Sequence, residues 1–236
     1  MVVCWSSTTL GTPSTPAIAE KPLEKLSADT VGFWRTQAIL AAVGLGVFEA
    51  LPSTAGELEK RLGLVIFCGA RLLRALQEVG LVCPGADDIW QVTSRGSLLA
   101  RHDGASMADA ALLWGQKHYD AWKNLASSLR SGVPAFDQLY GEPFFTWTCR
   151  CPSRTHEYQR AMAAYARHDY AALAELVDLS GHKTLVDAGG GLGELLFQLL
   201  RANPHLQGIL LDLPEVIDGV GAPGDLNQLF EAFAIK

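Results

Sequence analysis

Charge is scarce in this 236-residue chain: Asp, Glu, Lys and Arg make up 19% of it against 49% apolar residues, and the formal net charge is −6. An acidic chain has no general attraction for phosphate backbones or anionic bilayers, so neither nucleic acid nor membrane is expected as a partner. The five cysteines are odd in number and form no C-x-x-C pair. Cys149-Arg150-Cys151 lacks a second ligand pair, so free thiols, no metal centre and a reducing, cytoplasmic setting are expected. The longest uncharged run, Thr36 to Phe48, is too short to span a bilayer. Met1 to Pro16 has no apolar core of the kind a signal peptide needs. The histidines His102, His118, His156, His182 and His205 show no metal-ligand spacing. His168-Asp169 is an adjacent pair, but helix neighbours point about 100° apart and make no oriented dyad.

Glycine is concentrated in one place. Leu185-Val186-Asp187 is a short apolar run ending in an acid, and Ala188-Gly189-Gly190-Gly191-Leu192-Gly193-Glu194 follows as a turn. An amphipathic segment, Leu195 to Leu200, leads to a second apolar run, Gly208 to Leu211, which ends in Asp212-Leu213-Pro214. Strand, glycine-rich turn, helix, strand and acid describe the first βαβ unit of a Rossmann-like sheet. Glycine serves at such a bend because the backbone turns sharply and a ligand can approach without Cβ atoms in the way. A dinucleotide fingerprint would place its third glycine at 194, which is Glu, and no Lys-Ser/Thr follows to make a P-loop. The spacing is instead acid-x-G-x-G-x-G, through Asp187, Gly189, Gly191 and Gly193, which suits an adenosine whose ribose is held by Asp212.

Upstream, residues 1–26 read as a flexible leader. Asp29 or Thr30 starts a helical pattern that is apolar on nearly every side from Ala38 to Phe48, and a partner subunit is the expected cover. Thr54-Ala55-Gly56-Glu57 is a capping box. A third helix is expected over Ala70–Val79, and Leu81–Cys83 and Ile89–Val92 flank a turn as a β-hairpin. Residues 27–100 thus read as a winged-helix-like, predominantly helical dimerisation domain. Arg71 and Arg74 invite a DNA-binding reading, but Glu78 and the acidic hairpin tip Asp87-Asp88 oppose it. Residues 101–180 read as a helical linker and pocket region. It contains an amphipathic helix from Ala105 to about Arg130, an aromatic-dense stretch from Phe136 to Trp147, and a helix over Arg154–Val177. Aromatics at that density make either core or a pocket wall.

On Asp187 to Gly193, Asp212-Leu213-Pro214-Glu215-Val216, Leu45 to Leu51, Tyr140-Gly141 and Ala161-Met162, the chain resembles the plant and bacterial small-molecule O-methyltransferases. The resemblance implies S-adenosyl-L-methionine as cofactor, a small hydroxylated and aromatic acceptor, and a homodimer. It implies that Asp187, Gly189, Gly190, Gly191 and Gly193 border the cofactor, that Asp212 holds its ribose and that Leu213 packs near its adenine. Met162, with Phe144 and Trp147, would line the acceptor pocket.

The resemblance further implies more strands, and a His-Asp segment bearing the general base, beyond this sequence. Residues 181–236 therefore read as an incomplete α/β domain, with no catalytic residue assigned and activity left open. The alternatives are a non-catalytic, dimerising, cofactor-binding subunit and a winged-helix regulator. Gly224-Asp225 lies too close to Asp212 to be the next cofactor contact. Asp225 to Gln228 reads as a helix cap, with Leu226, Leu229, Phe230 and Phe233 on one helical face.

Overall fold

The computed structural model describes residues 21–101, 106–220 and 230–234. The described residues divide into two units between Trp34 and Arg35. Pro22 opens helix α1 (Pro22–Thr30), where its fixed φ and missing N–H suit the first helical position. Residues 22–26, expected to belong to a flexible leader, are thus helical, and residues 1–20 lie outside the described residues. Helices α2 (Gly32–Leu45) and α3 (Val47–Ala50) follow, separated by Gly46 at φ 76°, where one helix from Asp29 or Thr30 was expected.

Helices α4 (Ala55–Leu62) and α5 (Cys68–Glu78) are built as their sequences suggest. Thr54 Oγ1 accepts from the Glu57 amide at 3.3 Å and Glu57 Oε2 accepts from the Thr54 amide at 2.9 Å, so the capping box closes. Buried Glu59 reaches across to α5 and accepts from the Gly69 amide at 2.9 Å and the Ala70 amide at 3.3 Å. Strands β1 (Val82–Pro84) and β2 (Trp90–Val92) pair antiparallel, with Val82 opposite Val92. Phe48, Leu58, Leu73, Leu76 and Val82 are fully buried together at the centre of this part.

After α6 (Ser94–Ser97), the single amphipathic helix expected from Ala105 to Arg130 is broken into α7 (Ala108–Leu113), a π-helical turn (Trp114–His118), α8 (Tyr119–Trp122) and α9 (Leu125–Ser131). Close packing at Gly115 accompanies the break. A Cβ there would sit 3.0 Å from Leu40, and Gln37 donates to the Gly115 carbonyl at 3.3 Å. Helices α10 (Ala135–Tyr140), α11 (Phe144–Cys149), α12 (Pro152–Asp169) and α13 (Leu173–Leu176) come next. The helix expected to run to Val177 stops at Asp169, and the chain turns so that α13 packs on the first helix of the α/β part.

That part runs β3 (Thr184–Ala188), α14 (Glu194–Ala202), β4 (Gln207–Asp212), α15 (Pro214–Ile217), β5 (Phe230–Ala234). The sheet is parallel in the order β3-β4-β5, with Asp187 opposite Leu210 and Leu210 opposite Ala232. Leu196, Leu200, Leu206 and Leu210 are fully buried between α14 and the sheet. Here the structure corrects the sequence reading twice. The sheet has a third strand, and Phe230 and Phe233 lie on that strand rather than on a helix. Alternation decides the matter: the Phe230 ring packs edge-on against Phe197 at 4.9 Å, while Phe233 is 48% exposed on the opposite face. Gly224, Asp225 and the proposed cap lie outside the described residues.

Candidate functional site

The glycine turn joins β3 to α14 and adopts backbone that side chains resist. Gly189, Gly191 and Gly193 have φ of 74°, 60° and 79°, in the left-handed region. Gly190 is glycine for a different reason, because a Cβ there would collide with the Asp187 carboxylate and the Leu210 side chain. At Gly191 a Cβ would lie 2.5 Å from Gln159 Oε1, whereas at Gly189 it would meet nothing within 4 Å. The bend is thus tight against α12 on one side and open at its tip.

Strand pairing brings Asp212, at the end of β4, beside this bend. Its Oδ2 accepts from the Gly191 amide at 2.8 Å and its Oδ1 from the Leu213 amide at 2.7 Å, while the residue is only 9% exposed. Asp187 sits next to it at the end of β3, with Oδ2 buried and no hydrogen-bond partner among the described residues. Burial, followed by the charge of Asp212, raises the Asp187 carboxyl above its ordinary value of 3.8. Leu213 is exposed beside the pair. The seven residues singled out around the bend (Asp187, Gly189, Gly190, Gly191, Gly193, Asp212 and Leu213) therefore occupy one place in the fold.

A concavity of about 460 Å³ opens between α7, α11 and α12. Phe144 and Trp147 line it as expected; Met162, half-buried one turn beyond Tyr158 on α12, does not. Tyr158 also lines it, and its ring stands 5.4 Å from that of Phe144. Burial and then the charge of Asp212 push the Tyr158 phenol above its usual range, so the hydroxyl stays protonated. Gln159 on the same helix abuts the glycine bend. Helix α12 is thus the wall shared by cleft and bend, and Arg167 near its end pairs with Glu194 at the start of α14 at 3.2 Å.

Tyr158 and Gln159 were not legible as site residues. The available signal was their position one turn before Met162 on a common helix. His118, which the sequence marks only by its lack of metal-ligand spacing, has a buried place of its own. It lies on the π-helical turn among Trp114, Phe136 and Phe144, with Nε2 buried and unpartnered among the described residues. Burial holds its imidazole below the ordinary value of 6.5. His168 is exposed on the last turn of α12. The described residues contain no cluster of three or more His, Cys, Asp or Glu able to hold a metal, and no helix among them is long and apolar enough to cross a membrane.

Comparison with known proteins bears on the bend and on α12 together. Residues 122–228 match the model of the O-methyltransferase domain family. A 3-amino-4-hydroxybenzoate 4-O-methyltransferase of Streptomyces cremeus is 34% identical over 86% of this chain and 55% of its own length. A mitomycin biosynthesis 6-O-methyltransferase of Streptomyces lavendulae is 33% identical over 88% of this chain and 61% of its own. The crystal structure of LaPhzM superimposes with a TM-score of 0.82 at 27% identity, over 91% of this chain and 67% of that one. The chain spans little more than half the length of the curated relatives it matches. Residues 122–228, which hold α12, the glycine bend and Asp212, thus form a domain of the O-methyltransferase family.

Proposed function

We propose that the chain binds S-adenosyl-L-methionine at the glycine bend and serves methyl transfer to the hydroxyl of a small aromatic molecule in the cleft along α12. One observation carries the reading: the Asp212 carboxylate is held at the bend by the Gly191 amide, at 2.8 Å, and not turned away from it. The site suits the cofactor on further counts. The left-handed glycines leave space at Gly189, exposed Leu213 offers an apolar surface for a base, and Asp187 carries a buried oxygen without a partner.

Bound there, the cofactor supplies a methyl group on a sulfonium, which is already a good leaving group. The protein's part is then largely alignment, which contributes up to roughly 7–11 kcal/mol when donor and acceptor are held in line. Asp212, the bend and Leu213 would hold the donor. Phe144, Trp147 and Tyr158 would hold the acceptor ring by its faces, and protonated Tyr158 would offer a hydrogen bond. No general base is assigned among the described residues.

The helical part upstream serves packing and dimerisation in this reading. Its α4, α5 and β1-β2 follow the order of a winged helix, and acidic Asp87 and Asp88 stand between the strands. Phe33, Trp34 and Leu45 on α2 are exposed, and a second copy of the chain is the cover assigned to them.

Calorimetric titration with S-adenosylhomocysteine, followed by a transfer assay with hydroxylated aromatic acceptors, tests the proposal. Saturable 1:1 binding is expected; absence of binding to a folded chain would overturn it.

A further inference from the structure

The cleft along α12 carries more positive charge than a neutral acceptor requires. Around Phe144, Trp147 and Tyr158 stand Arg101, Lys117, Arg154 and Arg160, opposed by Asp109 and Glu157. Two of the cations are already committed. Arg160 Nε lies 2.9 Å from Asp109 Oδ2, and the Arg154 guanidinium lies over the Trp147 ring at 3.7 Å while donating to the Trp147 carbonyl at 3.0 Å. The side chains of Arg101 and Lys117 have no acidic partner among the described residues; the Lys117 ammonium stands 5.7 Å from the centre of the Tyr140 ring. In a chain of net charge −6, a cleft lined with surplus cations is a local departure from the average surface.

We infer that this cleft selects a planar aromatic acceptor bearing an anionic group, in the simplest case a carboxylate. The aromatic residues take the ring plane, and Arg101 and Lys117 take the anion. A guanidinium and an ammonium lining an aromatic-walled cleft are donors that a carboxylate satisfies and a neutral amide does not. Arg154, held over the Trp147 ring and bonded to the Trp147 carbonyl, is committed to that wall instead of competing for the anion. The inference rests on the reading of the cleft as the acceptor site, and it adds the charge of the acceptor to that reading.

The test is equilibrium titration of the 236-residue chain with a hydroxynaphthoate and with its neutral isostere, the hydroxynaphthamide, alongside S-adenosylhomocysteine. The carboxylate is expected to bind about tenfold more tightly than the amide. That preference should shrink between about 50 mM and about 500 mM salt. It should disappear in an Arg101→Gln/Lys117→Met double variant that still binds the amide, and each single variant should show part of the loss. Equal affinity for the two rings, binding of neither, or a preference that survives the double substitution would overturn the inference. If S-adenosylhomocysteine still binds in those cases, only the acceptor assignment fails; if its binding is lost as well, the methyl-transfer reading fails beneath it.

Discussion

Asp212 and Gly191 are separated by 21 residues of sequence, yet the carboxylate of one accepts from the amide of the other at 2.8 Å. The parallel register of β3 and β4 produces this meeting, because Ala188 lies opposite Leu211 and each strand ends at the same edge of the sheet. Asp212→Asn turns an amide N–H2 or a weaker acceptor toward the Gly191 and Leu213 amides. The expected cost is about 1–3 kcal/mol of stability, read from urea midpoints. Affinity for S-adenosylhomocysteine should also fall by about tenfold or more. A variant that binds as the wild type does would remove Asp212 from the cofactor's contacts.

Gly191→Ala meets two obstacles. Its φ of 60° costs an L-residue about 1–2 kcal/mol, and the new Cβ would press on Gln159 Oε1. Because the obstructing atom is the end of a flexible side chain, Gln159→Ala should recover the steric part and leave the backbone part. Denaturation of the single and double variants separates the two. Full recovery in the double variant would mean that the backbone conformation is not strained for alanine.

Asp187 is a buried carboxyl whose folded-state pKa is raised, first by burial and then by Asp212. Its unfolded form releases the proton more readily, so its stabilising contribution is full below the ordinary value of 3.8 and is lost as pH rises through the raised value. Asp187→Asn should therefore stabilise the chain at neutral pH, with a gain that shrinks as pH falls toward that ordinary value. Thermal melts across the range check it, and a variant less stable than wild type at neutral pH would contradict it. If the variant is more stable but binds S-adenosylhomocysteine less well, the unpaired oxygen is kept for ligand.

The bend and its acid were legible because both signals are local. Glycine spacing and a strand ending in Asp212 are properties of short stretches, and parallel pairing brings such ends together. The third strand was not legible, since Leu226, Leu229, Phe230 and Phe233 fit a helical face by spacing alone. Only the packing of Phe230 on Phe197 selects a period of two. Tyr158 and Gln159 were hidden for a similar reason. Their significance depends on which side of α12 meets the cleft and which meets Gly191, and tertiary packing decides that. The break at Gly115 depends likewise on Leu40, far away in sequence.

His118 makes a second pH dependence, of opposite sign to that of Asp187. Burial among Trp114, Phe136 and Phe144 lowers its folded pKa, so the unfolded chain takes up a proton first on acidification. The stability this group contributes is present above the ordinary value of 6.5 and is lost as pH falls below it toward the folded value. His118→Leu should flatten the fall in melting temperature between about pH 7 and about pH 5. An unchanged slope would mean that the ring is hydrated or partnered when folded.

Glu59 ties α4 to α5 by serving as a cap from outside the helix it caps. Its Oε1 takes the amides of Gly69 and Ala70 at 2.9 and 3.3 Å, and Gly69 is glycine where a Cβ would press on the Glu59 side chain at 2.6 Å. The residue before this helix, Phe67, has φ 69° and provides no side-chain cap, so nothing local replaces Glu59. Glu59→Ala leaves a buried N–H without its acceptor and is expected to cost about 1–3 kcal/mol. Glu59→Gln retains an acceptor oxygen and should cost less, the difference measuring how much of the bond depends on charge at the helix N-terminus. Urea denaturation of the two variants decides it. A Glu59→Ala midpoint equal to wild type would mean that water reaches these amides and the carboxylate is dispensable.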